Sequence, residues 1–341
     1  MRRSAWFRTA VGVVALSAVL AGCSLGDDDN KNSGTGPVPS NTGTRSGKVK
    51  IAFSSPGADH GWLAALTAGA KAEAAKYSDV EFIITEGTND SNAQVAQVES
   101  LILQKPDVIV ILPHEGAALT PVALRAMAAG IPVVNVDREF SSPAAYRLWI
   151  GGDNYGIGQA AGEYIATQLK CTGNVVEIQG IAGISVTDLR TKGFADAIKR
   201  CDGKLKIVAQ QPADFVPDKG LTVMENILQA QKKIDAVYTH DDDMAEGVVS
   251  AIENANRASE MFVTGAGGSK TAMGRIENGT LYRATFLYNP IMAASAVRLA
   301  RLIALGAGLS ELLEKEVPSR IQLPASTVTK ESVARFKDLG Y

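Results

Sequence analysis

From position 48 onward the chain alternates between two hydrophobic rhythms. Short apolar runs rich in β-branched residues give way to longer stretches in which apolar positions recur at helical spacing. The runs at 49–54, 80–85, 108–112, 133–137, 174–179, 205–211, 236–240, 262–265 and 284–287 predict strands, and amphipathic helices fill nearly every gap. Strands that are apolar on both faces and separated by helices are parallel and covered on two sides. The expected fold class is α/β, with two doubly wound parallel-sheet lobes. One lobe takes residues 48–152 with 289–322 and the other takes 153–288 with 323–341. A late helix at 290–305 brings the chain back to the first lobe, so the hinge is crossed near 151–154, 289 and 323.

The first 47 positions follow neither rhythm. Arg2, Arg3 and Arg8 precede an uncharged stretch, 10–22, made mostly of Ala, Val and Leu. A basic start, a short greasy segment and small residues behind it are the layout of a signal peptide, 1–22. The apolar run is shorter than the ~20 residues that a spanning helix needs. Leu20, Ala21, Gly22 and Cys23 resemble the lipobox of bacterial lipoproteins, which implies cleavage before Cys23 and acylation of its thiol. Positions 24–47 are Gly, Ser, Thr, Asn, Asp and Pro with almost nothing apolar, so they read as a tether. Asp27, Asp28 and Asp29 in that stretch read as a solvated charge run rather than a metal cluster.

Composition narrows the function. Removing 1–22 takes away three arginines and moves the formal charge from −2 to −5, with no basic stripe, which argues against a nucleic-acid partner. Beyond Cys23 the only cysteines are Cys171 and Cys201. In an exported protein this pair is either a disulfide or two separate buried thiols.

In open parallel sheets, ligands bind beyond the carboxyl ends of the strands. Those positions hold Asp59, His60 and Trp62 after the first predicted strand, and Asp137 and Arg138 after the fourth. Asp214 and Phe215 follow the sixth, and Asp241, Asp242 and Asp243 follow the seventh. Carboxylates and guanidinium groups hold vicinal hydroxyls two at a time, and flat aromatic rings lie against the C–H faces of a sugar. The combination suits a neutral polyhydroxylated ligand.

The segments Ile131 to Arg138, Val176 to Gly180, Gln211 to Phe215 and Asp241 to Ala245 resemble those of the ribose-binding-like periplasmic sugar-binding proteins, over about 48–323. Asp59, His60, Gly61 and Trp62, with Asn289 and Pro290, are closer to the galactofuranose-binding branch. The resemblance implies the type I periplasmic-binding-protein fold, a two-lobed clamp that closes on a sugar or polyol and delivers it to an ABC permease with its ATPase. It implies no cofactor and no catalysis, and it places the protein outside the cytoplasm, held to the membrane through Cys23. The same cleft would also serve a sensing receptor. By position, the resemblance assigns ligand contacts to His60, Trp62, Asp137, Arg138, Arg190, Phe215, Asp241 and, from the hinge, Asn289.

Departures from the family pattern bear on the sugar. Gly267 stands where members commonly carry a carboxylate, and a Gln found near 287 in some members is absent, so furanose, pyranose and polyol all stay open. A sugar-responsive regulator with this core would carry a DNA-binding helix-turn-helix where this chain has its leader. An enzyme would have to work with His60, His114 and His240 alone, without a nucleophile elbow or a G-x-G-x-x-G turn after the first strand. The glycines at 151–152 and 265–268 read as hinge and turn positions, and His114 and Glu115 as a helix entry.

Overall fold

A computed structural model describes residues 47–309 and 314–341, so the expectations for the leader, Cys23 and Asp27 to Asp29 lie outside the described residues. The first sheet holds β1 (Val49–Ser54), β2 (Val80–Ile84), β3 (Val108–Ile111), β4 (Val133–Val136) and β5 (Leu148–Gly152), joined at one edge by β11 (Arg320–Leu323). The second holds β6 (Gly173–Gln179), β7 (Leu205–Pro212), β8 (Ala236–Thr239), β9 (Phe262–Gly267) and β10 (Tyr282–Leu287), with β12 (Thr327–Thr329) at its edge. The orders are β11-β5-β4-β3-β1-β2 and β12-β10-β9-β8-β6-β7, so the two sheets wind alike. Every pairing is parallel except β12 with β10. These are the two doubly wound lobes that the apolar pattern predicts.

Helices occupy the crossovers: α1 (Gly61–Ala74), α2 (Ser91–Leu103) and α3 (Gly116–Ala128) in the first half, then α4 (Asn154–Gln168), α5 (Ser185–Ile198), α6 (Pro217–Ala230), α7 (Asp242–Asn254) and α8 (Lys270–Glu277). The late helix α9 (Met292–Ala304) packs on α1 and against β1, β3 and β4, and a short α10 (Val333–Phe336) follows β12. Among the described residues no helix is long and apolar enough to cross a membrane.

The strands that the apolar pattern left out are β5, β11 and β12. β11 reads Arg-Ile-Gln-Leu and β12 Thr-Val-Thr, short edge strands too polar to stand out from a loop. β5 ends in Gly151 and Gly152, and a Cβ at Gly152 would lie 2.1 Å from the Tyr288 ring. Gly265 and Gly267 likewise belong to β9, and the turn begins at Gly268 with φ +86°. Cys171 and Cys201 are joined in a disulfide. The bridge sits where β6 begins, at the edge of the second sheet opposite its carboxyl end.

Candidate functional site

Because both sheets are parallel, the carboxyl ends of their inner strands face a shared cleft, and the residues that follow those strands converge there. A cavity there is lined by His60, Trp62, Asp137, Arg138, Arg190, Phe215 and Asp241, together with Val186, Ala266 and Tyr288. The structure thus brings seven of the eight candidate contacts to one cavity, and leaves Asn289 out. Its Nδ2 donates to the Leu339 carbonyl at 3.3 Å and its Oδ1 accepts from Ile291 N at 2.9 Å, so the side chain is taken up by local backbone. The residue that enters the cavity from this crossing is its neighbour, Tyr288.

Each group is held by a specific local device. β4 ends at Val136, and Asp137 takes the left-handed conformation, φ +62°, with its N–H on the Ile150 carbonyl at 2.9 Å and its carbonyl accepting Trp149 Nε1 at 3.0 Å. Asp214 and Phe215 are also left-handed, φ +55° and +67°, an uncommon state for a bulky residue that marks an imposed geometry. The Phe215 ring lies over Gly180, where a Cβ would approach to 1.9 Å, so the glycine at the end of β6 makes room for it. Trp62 stacks on Tyr288 with centroids 5.4 Å apart, and its Nε1 donates to the Tyr288 carbonyl at 2.6 Å. His60 faces Phe215 across the cleft at 6.1 Å.

The charged groups form a linked set. Tyr288 donates its hydroxyl to Asp137 Oδ1 and accepts from Asn154 Nδ2 at 3.1 Å. Arg190 Nε donates to Asn154 Oδ1 at 2.9 Å, its Nη1 donates to the His240 carbonyl, and its guanidinium lies 4.6 Å from the Tyr288 ring centroid. Arg138 Nη1 donates to the His114 carbonyl at 2.8 Å, so His114 contributes through its backbone. Asp241 caps α7 through one oxygen, Oδ1, which accepts Asp243 N and Met244 N at 2.8 and 3.0 Å.

Burial dominates the protonation behaviour. It raises the Asp137 carboxyl despite the neighbouring Arg138, and pushes Asp241 up to about 7 against the opposing pull of His60, with Asp243 and Asp242 adding to the rise. For His60, burial alone would lower the value, but its bond to Asp59 at 2.5 Å and the charge of Asp241 leave it raised. Two acidic and two guanidinium side chains, each only 3–5% exposed, face the cavity. Together they give the wall both hydrogen-bond donors and acceptors for ligand hydroxyls. Among the described residues no group of three His, Cys, Asp or Glu could hold a metal ion.

A profile of the family described as Periplasmic binding protein domain matches residues 51–308. The chain belongs to that family. The ribose import binding protein of Bacillus subtilis is 35% identical over 243 residues, 71% of this chain and 77% of the relative. The galactofuranose-binding protein of Escherichia coli is 32% identical over 312 residues, 86% and 93% of the two chains. Among solved structures, an ABC transporter solute binding protein from Bacillus halodurans with bound myo-inositol superposes with a TM-score of 0.80 at 28% identity, covering 86% of this chain and 99% of the other. These periplasmic binding proteins are carriers and not catalysts, and the chain is not an enzyme.

The sequence reading passed over Tyr288, took in Asn154 only within the 151–154 hinge crossing, and named Asp243 only as a strand-end carboxylate. An aromatic residue directly after a predicted strand was the available signal for Tyr288. Asn154 and Asp243 act through partners far away in sequence, which strand-end inspection does not reveal.

Proposed function

We propose that this protein captures a neutral sugar or polyol between its two lobes and delivers it to an ABC-type importer, from outside the cytoplasm and anchored through acylated Cys23. The single observation that carries the binding reading is the aromatic-walled cavity to which Asp137, Arg138, Arg190 and Asp241 contribute donors and acceptors. Relatives named for ribose and galactofuranose, and one holding myo-inositol, support the ligand class, since neutral compounds bearing several hydroxyls are what they share. Asp137 and Arg138 engage the ligand first, and Arg190, Phe215 and Asp241 close over it. Closure is favoured only by contacts that the open form lacks.

The test is thermal-shift screening of the purified full chain against pentoses, hexoses, furanosides and polyols. A ligand at a hundredfold excess over its Kd adds ~2.7 kcal/mol. The shift should vanish in Asp137→Ala and persist in Asp27→Ala; no shift with any of these compounds would overturn the reading. Compaction in solution scattering on binding tests the closing step. For the anchor, Cys23→Ser should move the expressed protein from the membrane to the soluble fraction.

A further inference from the structure

Tyr341 carries a polar atom that neither the fold nor the contacts described so far make use of. Its hydroxyl oxygen is buried and makes no hydrogen bond among the described residues. A buried phenol normally finds a partner, and one left without a partner is costly. The oxygen stands over Gly267: a Cβ added there would lie 2.7 Å from it, so the absence of a side chain at 267 is what admits the hydroxyl. Gly267 directly follows Ala266, which lines the cavity, and the charged groups around the hydroxyl are Asp241 and Arg190, also lining groups, with Asp242 and Asp243.

The rest of the residue is fixed in place. Lys270 N donates to the Tyr341 carbonyl at 3.1 Å, at the start of α8, and the ring packs against the main apolar cluster. Asn289 Nδ2 holds the preceding turn through the Leu339 carbonyl. Burial and the surrounding carboxylates keep the phenol well above its ordinary range, so it retains its proton and can donate. Asp242, the nearest carboxylate to this space, is already occupied: it accepts from Tyr282, Thr285, Gly268 N and Ser269 N.

We propose that the Tyr341 hydroxyl is a specificity-determining group of the cleft, taking one ligand hydroxyl in the space over Gly267. The assignment rests on the polyol reading above. A phenol both donates and accepts, whereas a carboxylate only accepts.

The test is Tyr341→Phe, which removes the oxygen and leaves the ring. Calorimetric titration of the full chain uses ribose, arabinose, galactose and myo-inositol, with the monodeoxy analogues of whichever binds. Loss of one neutral hydrogen bond should weaken the parent ligand by about three- to tenfold. One deoxy analogue should bind wild type and variant equally, because it lacks the paired hydroxyl. The ligand-free midpoint of Tyr341→Phe should be unchanged or higher, since the variant buries no orphan donor. Equal affinity of wild type and Tyr341→Phe for a ligand that binds overturns the role of Tyr341 alone. Wild type binding none of the sugars overturns the polyol reading, and this proposal with it. Asn289→Ala, which frees the turn before Tyr341, should weaken the parent ligand in the same direction and by less.

Discussion

Asp243→Ala separates the energy of cleft closure from the energy of ligand contact. Asp243 does not line the cavity, yet its Oδ2 accepts Trp62 N at 3.0 Å, joining the first turn of α7 to the start of α1. α1 lacks a cap of its own, because its N-cap residue His60 makes no side-chain cap bond. A carboxylate supplied from the other lobe does that work. Capping interactions contribute about 0.5–2 kcal/mol, typically ~1. The pair is partly exposed, so ~1 kcal/mol is the appropriate figure, and it belongs to the closed form: once the lobes separate, both groups return to water. For a protein that is mostly open without ligand, the whole amount appears in the apparent Kd as roughly a fivefold weakening.

Asp243→Asn is the necessary companion. Both variants remove the same charge from the first turn of α7, whereas Asn caps a helix about as well as Asp and Ala does not. Calorimetric titration with the polyol giving the largest thermal shift should therefore place Asp243→Asn near wild type and Asp243→Ala about fivefold weaker. Solution scattering should show the same compact bound state in all three. Identical Kd values for the Ala and Asn variants would refute the cross-lobe cap.

Tyr288→Phe deprives buried Asp137 of a donor and Asn154 of an acceptor; at ~1–3 kcal/mol for orphaned buried groups, scanning calorimetry should record a midpoint lower by roughly 3–8 °C. Asp241, raised to about 7, binds a proton in the folded protein between its unfolded value near 4 and that raised value. Its contribution to ligand-free stability is therefore complete below pH ~4 and lost as pH rises through ~7. A ligand hydroxyl donating to this group favours the ionised form, so affinity should increase from pH 5.5 to 7.5, by at most ~tenfold per pH unit, with proton release seen by titration in two buffers. Asp241→Asn, which retains the cap, should flatten that profile. Reduction of the Cys171–Cys201 bridge, which spans 30 residues, should remove about 3–4 kcal/mol and lower the midpoint by roughly 5–10 °C. Titration of the reduced protein should give an unchanged Kd, because the bridge lies at the edge of the second sheet away from the cleft.

How legible the site was depended on distance along the chain. Asp137, Arg138 and Asp241 directly follow apolar runs and Phe215 lies four residues beyond one, so the rule that parallel strands present ligands at their carboxyl ends picks them out without coordinates. Arg190, several residues into α5, came from the resemblance instead. Asn289 likewise came from the resemblance, at the hinge; its amide is bonded to the backbone of 339 and 291, and its neighbour Tyr288 lines the cavity. β11 and β12 escaped notice because an edge strand is buried on fewer sides and needs fewer apolar residues. The glycines at 151–152 and 267 read as punctuation, whereas in the fold 152 and 267 are clearances for the Tyr288 ring and the Tyr341 hydroxyl.

Taken by itself, the sequence determined the alternation of buried strands and helices, the parallel sheets this requires, and the polar groups stationed at their ends. Hydrophobic periodicity is a local property, and it survives reading one residue at a time. Tertiary structure alone decided which of those ends meet. The bond from Trp62 to Asp243, the chain of contacts from Asp137 through Tyr288 and Asn154 to Arg190, and the placement of Tyr341 over Gly267 join positions tens to hundreds of residues apart. Such pairings arise from how two twisted sheets are set against each other, and no spacing rule along the chain encodes that geometry.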